Sequence, residues 1–160
     1  MRKSLEWLIN EYQTNLFVTA FNVCKNVEDA KDVVQDTFIA YHTSNQQFND
    51  EQHIRAWLFR VTVNKAKDAI KSFWHRNKMP LEDYLETLPF ESKEDSDLFE
   101  EVLNLPKKYR IVIHLFYYED YSIREISQIL HISESNTKTR LSRGRQLLKY
   151  VLMEEWEYDE

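Results

Sequence analysis

Glycine occurs once in this chain of 160 residues, at Gly144, and proline three times, at Pro80, Pro89 and Pro106. Phosphate-cradling loops, dinucleotide fingerprints and nucleophile elbows need several glycines where the backbone turns sharply or approaches a ligand. Tight β-hairpins have the same need. One glycine excludes most of these, and the composition predicts an all-α protein. The single cysteine, Cys24, rules out an internal disulfide and a cysteine-rich zinc site, so a reducing compartment is expected. Long apolar runs are missing too. The longest, residues 111–118, is interrupted by His114 and far too short for a bilayer. Glu6 and Glu11 break up the first twelve residues, which argues against a signal peptide. The expectation is a cytoplasmic protein without membrane insertion.

What is present is charge, arranged in blocks. The net charge is −6, yet residues 51–80 hold seven basic and two acidic side chains. Residues 107–150 hold nine and four, whereas 81–106 hold one and nine, and 151–160 hold none and five. Two basic blocks around an acidic one suggest two anion-binding surfaces with a non-binding spacer. The prolines lie in or beside that spacer. The expected organisation is a domain over 1–78, an acidic linker over 79–97, a second domain over 98–155 and an acidic tail over 156–160.

In the first half, Asn26 followed by Glu28 and Asp29 reads as a capped helix start. Ala30, Val33, Val34, Thr37, Phe38 and Tyr41 continue it with the spacing of a buried stripe. Asp32, Gln35 and Asp36 fall on the opposite face, a pattern that ordinary solvation of a surface helix accounts for on its own. After a polar loop, Thr43 to Gln52, a long helix is expected from about His53 to His75. Ile54, Trp57, Leu58, Val61, Ile70 and Phe73 would be its apolar side. Arg60, Asn64, Lys67 and Lys71 line up along another, with Arg55, Lys65, Arg76 and Lys78 adding charge. Cations beside Trp57, Phe59, Phe73 and Trp74 suit single-stranded nucleic acid, because cations track phosphates and aromatic faces accept unstacked bases. A surface helix whose aromatic residues all belong to the core has the same pattern.

In the second half, Pro106 to Tyr118 predicts a helix with Tyr109, Val112, Ile113 and Phe116 on one face. Ser122 and Glu125 have the spacing of a capping box, opening a helix that buries Ile123, Ile126 and Leu130. After the break at 131–133, Ser133 caps a longer helix, with Thr137, Leu141, Gly144, Leu148 and Val151 on its buried side. Lys138, Thr139, Arg140, Ser142, Arg143 and Arg145 lie outside that stripe. Two helices joined by a three-residue turn, the second basic at its start, have the form of a helix-turn-helix. Arg and Lys there would reach guanine edges in the major groove, and hydroxyls would reach phosphates or bases. A helical hairpin used only for protein contacts shares this spacing. The five histidines have no ligand spacing with Asp or Glu and no activated nucleophile stands out, so neither an enzyme nor a metal or cofactor site is expected.

Four segments together resemble bacterial sigma factors: Asp-Val-Val-Gln-Asp-Thr-Phe (32–38), Arg-Ala-Trp-Leu-Phe-Arg-Val-Thr-Val-Asn (55–64), Leu-Pro-Lys-Lys-Tyr-Arg (105–110) and Ile-Ser-Glu-Ser-Asn-Thr-Lys-Thr-Arg-Leu (132–141). Their order matches the small extracytoplasmic-function (ECF) group, which keeps only regions two and four of the larger sigma factors. The resemblance runs from about Asn15 to Leu152. It implies that Asp32, Gln35 and Asp36 dock on core RNA polymerase. It also implies that Trp57, Arg60 and Asn64 take part in opening the −10 element, with Asn64 holding a flipped base, and Arg55, Lys67 and Lys71 extend this face. Lys138, Thr139, Ser142 and Arg143, flanked by Arg140 and Arg145, would meet the −35 duplex. The partners implied are core RNA polymerase, promoter DNA and an anti-sigma factor. A stand-alone helix-turn-helix regulator of closed duplex is the alternative, and it leaves the Asp32–Asp36 face and the basic-aromatic helix without a use. Departures from the family pattern are few. The 48–54 loop lacks an Arg-Gly pair, His131 replaces the glycine of the turn, Gly144 replaces an alanine, and Thr137 replaces a valine.

Overall fold

Ser4 opens the first helix by accepting the Trp7 N–H on its hydroxyl, satisfying one of the donors a helix start leaves unpaired. The structure is a computed structural model. It describes the backbone of residues 1–71 and 93–158, and side chains for all of these except 93, 96 and 152–158. The chain divides into two compact units, Met1–Lys78 and Met79–Glu160. The described residues form seven helices and no strand.

The first unit holds α1 (Leu5–Cys24), α2 (Val27–Thr43) and α3 (Glu51–Lys71), each packed on the other two. Lys25, in the left-handed conformation at φ 54°, ends α1. The next residue, Asn26, caps α2 by accepting the Asp29 N–H at 2.9 Å. Every α2 position expected to be apolar is buried: Ala30, Val33, Val34, Thr37, Phe38 and Tyr41. Leu8, Leu16, Ile54, Leu58 and Phe59 are fully buried in the same core. Removing one such aliphatic side chain costs about 2–5 kcal/mol.

The long helix departs from expectation in two ways. It begins at Glu51, with Asp50 accepting the His53 N–H at 2.8 Å. Its buried stripe is Ile54, Leu58, Phe59, Thr62, Val63 and Ala66, while Trp57, Val61 and Ile70 are only half-buried. The physical reason is that Thr62 meets the buried Thr37 hydroxyl of α2 at 3.1 Å, so the side of α3 carrying Thr62 and Phe59 faces the core. Phe59 is fully buried and therefore offers no face to a base. Phe73, Trp74, His75, Arg76 and Lys78 lie outside the described residues, as does the linker over 79–92.

The second unit holds α4 (Lys93–Leu103), α5 (Lys107–Tyr117), α6 (Ile123–Leu130) and α7 (Glu134–Tyr158). Residues 93–97, read from the sequence as the end of the linker, form the start of α4, where Glu94 and Asp95 favour the positive end of the helix dipole. Phe99, Val102, Leu103 and Leu105 are buried behind them. The middle of α5 is buried nearly all round, so it shows no single apolar face: Val112, Ile113, His114 and Leu115 are each 1% exposed or less. His114 is accommodated by Glu119, its Nε2 3.4 Å from a carboxylate oxygen, and by the Tyr118 ring stacked at 5.4 Å.

The capping box forms as spaced, Glu125 N–H donating to Ser122 Oγ at 3.1 Å and Ser122 N–H to Glu125 Oε1 at 3.0 Å. His131 ends α6 at φ 55°, ψ 46°, the left-handed backbone that a glycine provides without strain. Ser133 accepts the Asn136 N–H, which opens α7. Thr137 is buried, and its hydroxyl donates to Ser133 O at 2.9 Å, so the polar atom that replaces a valine methyl is satisfied. The α7 backbone continues to Tyr158, through most of the stretch read as an acidic tail.

Candidate nucleic-acid interface

In the first unit, α2 presents Asp32, Gln35 and Asp36 to solvent, one helical turn apart. Ile39 continues the same face and is 52% exposed, unusual for an isoleucine on a helix whose other large apolar side chains are buried. An acidic and amide face around an exposed apolar side chain suits a protein partner better than an anion.

The face of α3 is of opposite sign. Asn64 and Lys71 are exposed, and Arg60 and Lys67 are half-buried along the same line. Glu51, one of two acids in this helix, accepts the Tyr12 hydroxyl at 2.9 Å. Burial pushes the Tyr12 phenol up to about 12, with the hydrogen bond to Glu51 and its charge adding to the rise. Trp57 stands beside the basic line, half-buried, edge-on to Tyr41 at 6.1 Å and to Phe48 at 5.9 Å. One side of the indole is thereby fixed. The Arg55 guanidinium lies 4.8 Å from the centre of the buried Phe59 ring, where it covers the core as well as adding charge.

The second unit carries the third face. Lys138, Thr139, Ser142, Arg143 and Arg145 are exposed on α7, and Arg140 is half-buried. Gly144 sets their placement: a Cβ there would stand 2.9 Å from Ile113 Cγ1 and 3.4 Å from Tyr109 Cβ, so α7 meets α5 without a side chain between them. The neighbouring arginines reach back to aromatic residues of α5. Arg145 Nε donates to the Tyr117 hydroxyl at 2.5 Å, with its guanidinium over the Phe116 and Tyr117 rings at 5.3 and 5.5 Å. Arg143 and Lys108 also act on Tyr109: desolvation raises that phenol, but its interactions with these two cations outweigh the rise and hold it below its ordinary value. Arg145 is thus committed to α5, while Lys138, Thr139 and Ser142 face solvent.

The site residues therefore fall into three sets, α2 and α3 in the first unit and α7 in the second. Sequence patterning missed the exposed Ile39 and the half-buried Arg2, and the buried Phe48 ring that packs with Tyr41 behind Trp57. Phe48 carried a signal, being the one large apolar side chain in the polar Thr43–Gln52 loop. Among the described residues, no helix is long and apolar enough to cross a membrane, and no cluster of His, Cys, Asp and Glu could hold a metal ion.

Comparison with known proteins agrees with this layout. Residues 8–76 match Sigma-70 region 2 and residues 97–148 match Sigma-70, region 4. The chain is 29% identical to the RNA polymerase sigma factor SigV of Bacillus subtilis, over 92% of this chain and 90% of SigV. It is 32% identical to SigZ of the same organism, over 76% and 71% of the two chains. It is also 28% identical to the B. subtilis ECF RNA polymerase sigma factor SigW, over 91% and 87%. Among solved structures, the fold resembles CnrH in complex with the cytosolic domain of CnrY, at a TM-score of 0.67 and 27% identity, over 92% and 86% of the two chains. It also resembles the sigma factor RpoE bound to the anti-sigma factor NepR from Bartonella quintana, at 0.70 and 19%, over 92% and 96%. The chain belongs to the ECF sigma factors of the sigma-70 family, alternative sigma factors that direct RNA polymerase to specific promoters.

Proposed function

We propose that this sigma factor divides initiation among its three faces. Asp32, Gln35 and Asp36 on α2, with Ile39, dock on core RNA polymerase. On α3, Arg60, Lys67 and Lys71 follow the phosphates of the melted −10 strand, Arg55 adds to the field, Trp57 stacks against a base and Asn64 hydrogen-bonds a flipped one. Capture of an extruded base offsets the few kcal/mol of unstacking with stacking and hydrogen bonds. On α7, Lys138, Thr139, Ser142 and Arg143 meet the −35 duplex, with Arg140 and Arg145 contributing charge at its edge. The first unit and the second, from α4 onward, are the two promoter-reading domains, joined by the acidic segment that precedes α4. The chain acts as a specificity subunit without a reaction of its own, in the cytoplasm where polymerase and DNA meet. A further proposed partner is an anti-sigma factor, since the RpoE structure it resembles holds one.

The observation that carries this reading is the pair of oppositely charged faces on neighbouring helices of one small unit, α2 acidic around an exposed Ile39 and α3 basic beside Trp57. A stand-alone regulator of closed duplex has no use for either. The test is assembly with core polymerase, followed by size exclusion. Replacing Gln35 and Asp36 with alanine should weaken assembly about tenfold or more, as losses at interface centres do, and Asn64→Ala should leave it unchanged. Equal assembly by all three proteins would refute the docking face.

A further inference from the structure

The first three residues grip the connection between α2 and α3. Arg2 Nη2 donates to Tyr41 O and Nη1 to Gln46 O, both at 2.6 Å. Its guanidinium also lies 4.4 Å from the centre of the Tyr41 ring and 5.8 Å from that of Phe48. The Tyr41 carbonyl is in the last turn of α2, where a cation meets the negative end of the helix dipole. Lys3 seals the same point through its backbone: its N–H donates to the Tyr41 hydroxyl at 3.0 Å, and that hydroxyl donates to Lys3 O at 2.8 Å. The Met1 main-chain nitrogen donates to Phe48 O at 2.9 Å.

These contacts lead directly to α3. Phe48 is 3% exposed although it sits in an otherwise polar loop, and it stacks on Tyr41 at 5.8 Å. Both rings stand edge-on to Trp57, at 5.9 and 6.1 Å. Phe48 also meets His53 at 5.0 Å, and His53 Nδ1 accepts the Asn49 N–H. Arg2 thus holds two carbonyls on either side of a turn whose aromatic residues hold Trp57. A single planar fork bridges both acceptors, which a lysine ammonium on a flexible stem does far less well.

We propose that Arg2 is a positioning residue for −10 strand capture: by bridging Tyr41 O and Gln46 O it fixes Phe48, and through Phe48 and Tyr41 it sets the indole of Trp57 at the angle the unstacked base meets. This rests on the assignment of the α3 face to the melted strand. Arg2 makes no contact with Asp32, Gln35 or Asp36 and belongs to a different unit from α7, so its loss acts on strand capture and spares polymerase docking and −35 binding.

The test uses holoenzyme rebuilt from core polymerase and the full chain, with a fluorescent single strand carrying the −10 segment of a promoter that the wild type transcribes. Arg2→Ala should weaken binding of this strand about fivefold to tenfold, the scale of one ordinary hydrogen bond, since Arg2 acts on the strand only through Trp57. Core assembly and −35 duplex binding should stay within about twofold, and Arg2→Lys should fall between wild type and Arg2→Ala. Trp57→Ala and Asn64→Ala run beside them. If these two weaken strand binding while Arg2→Ala does not, the positioning role is refuted and the α3 assignment stands. If wild-type holoenzyme does not bind the strand, the α3 assignment fails and the positioning role with it. Equal losses in assembly, −35 binding and strand binding would also refute it, because they would reduce Arg2 to holding the unit folded. Should Arg2→Ala not fold, Arg2→Gln, which keeps an amide donor but neither the charge nor the fork, carries the same comparison.

Discussion

Thr37 and Thr62 meet hydroxyl to hydroxyl at 3.1 Å between α2 and α3, and neither side chain is exposed. Thr37 also lies 2.8 Å from Val33 O, to which its single proton goes, so Thr62 is the donor of the pair. Thr62→Val removes only a donor and should cost about 1 kcal/mol. Thr37→Val takes away the acceptor that the buried Thr62 hydroxyl uses and should cost more, about 1–3 kcal/mol. The double variant should be more stable than the sum of the two losses implies. Denaturant unfolding of the four proteins measures this, and strict additivity would mean that the hydroxyls do not interact.

Gly144 makes the opposite case, a position where a helix-favouring residue should harm. Alanine would gain about 1 kcal/mol in helix propensity. Its Cβ, however, would stand 2.9 Å from Ile113 Cγ1, and Ile113 is only 1% exposed. Overpacking of that kind costs about 1–3 kcal/mol. Gly144→Ala should therefore lower the melting temperature of the second unit and, by shifting Arg143 and Arg145, weaken −35 binding. A rise in melting temperature would show that α5 yields without cost.

Two phenols make stability fall at high pH. Burial pushes Tyr118 up to about 12, with the Asp95 charge adding to it, and Tyr12 reaches about 12 as well. Each folded-state value lies above the unfolded one, near 10. The folded chain then holds these protons more tightly, so stability is full below about pH 10 and is lost as pH rises toward 12. Tyr118→Phe should flatten this loss. It should also be neutral or stabilising at pH 7, because the buried Tyr118 hydroxyl has no hydrogen-bond partner among the described residues. Chemical unfolding at pH 7 and pH 11 tests both statements, and an unchanged slope for the variant would contradict the assignment.

The charge blocks predict that DNA binding depends on polymerase. The nine acidic residues over 81–106 and five over 151–160 weaken the positive field that the basic blocks offer to DNA, and the whole chain is at −6. Free protein should bind a −35 duplex no more tightly than about 10⁻⁶ M at physiological salt, the range of non-specific binding. Fluorescence anisotropy with increasing salt checks this. Nanomolar binding by the chain alone would favour the stand-alone regulator.

Local signals were the legible ones. Asn26, Ser122 with Glu125, and Ser133 each announce a helix start within three or four residues, and each cap forms. The stripe on α2 could be read because one side of that helix is buried and the other is wet. On α3 the pattern misled, because a threonine that pairs with another threonine in the core looks polar in sequence, and the buried side turned toward Phe59 and Thr62 rather than Trp57 and Val61. The grip of Arg2 on Tyr41 and Gln46 was illegible for a different reason. It joins residues about forty positions apart, and no local propensity records such a contact. Charge patterning found the basic face of α7, but it could not tell Arg145, bonded to Tyr117, from the side chains left facing solvent.

The most direct measurement is run-off transcription from genomic fragments by core polymerase, with and without this chain, alongside Gln35→Ala, Asn64→Ala and Arg143→Ala. Transcripts should appear only when the chain is added, and each replacement should reduce them, Gln35→Ala through assembly, Asn64→Ala through strand opening and Arg143→Ala through −35 binding. If no new start site appears while the chain alone shifts a duplex fragment, the three-face division of labour is contradicted.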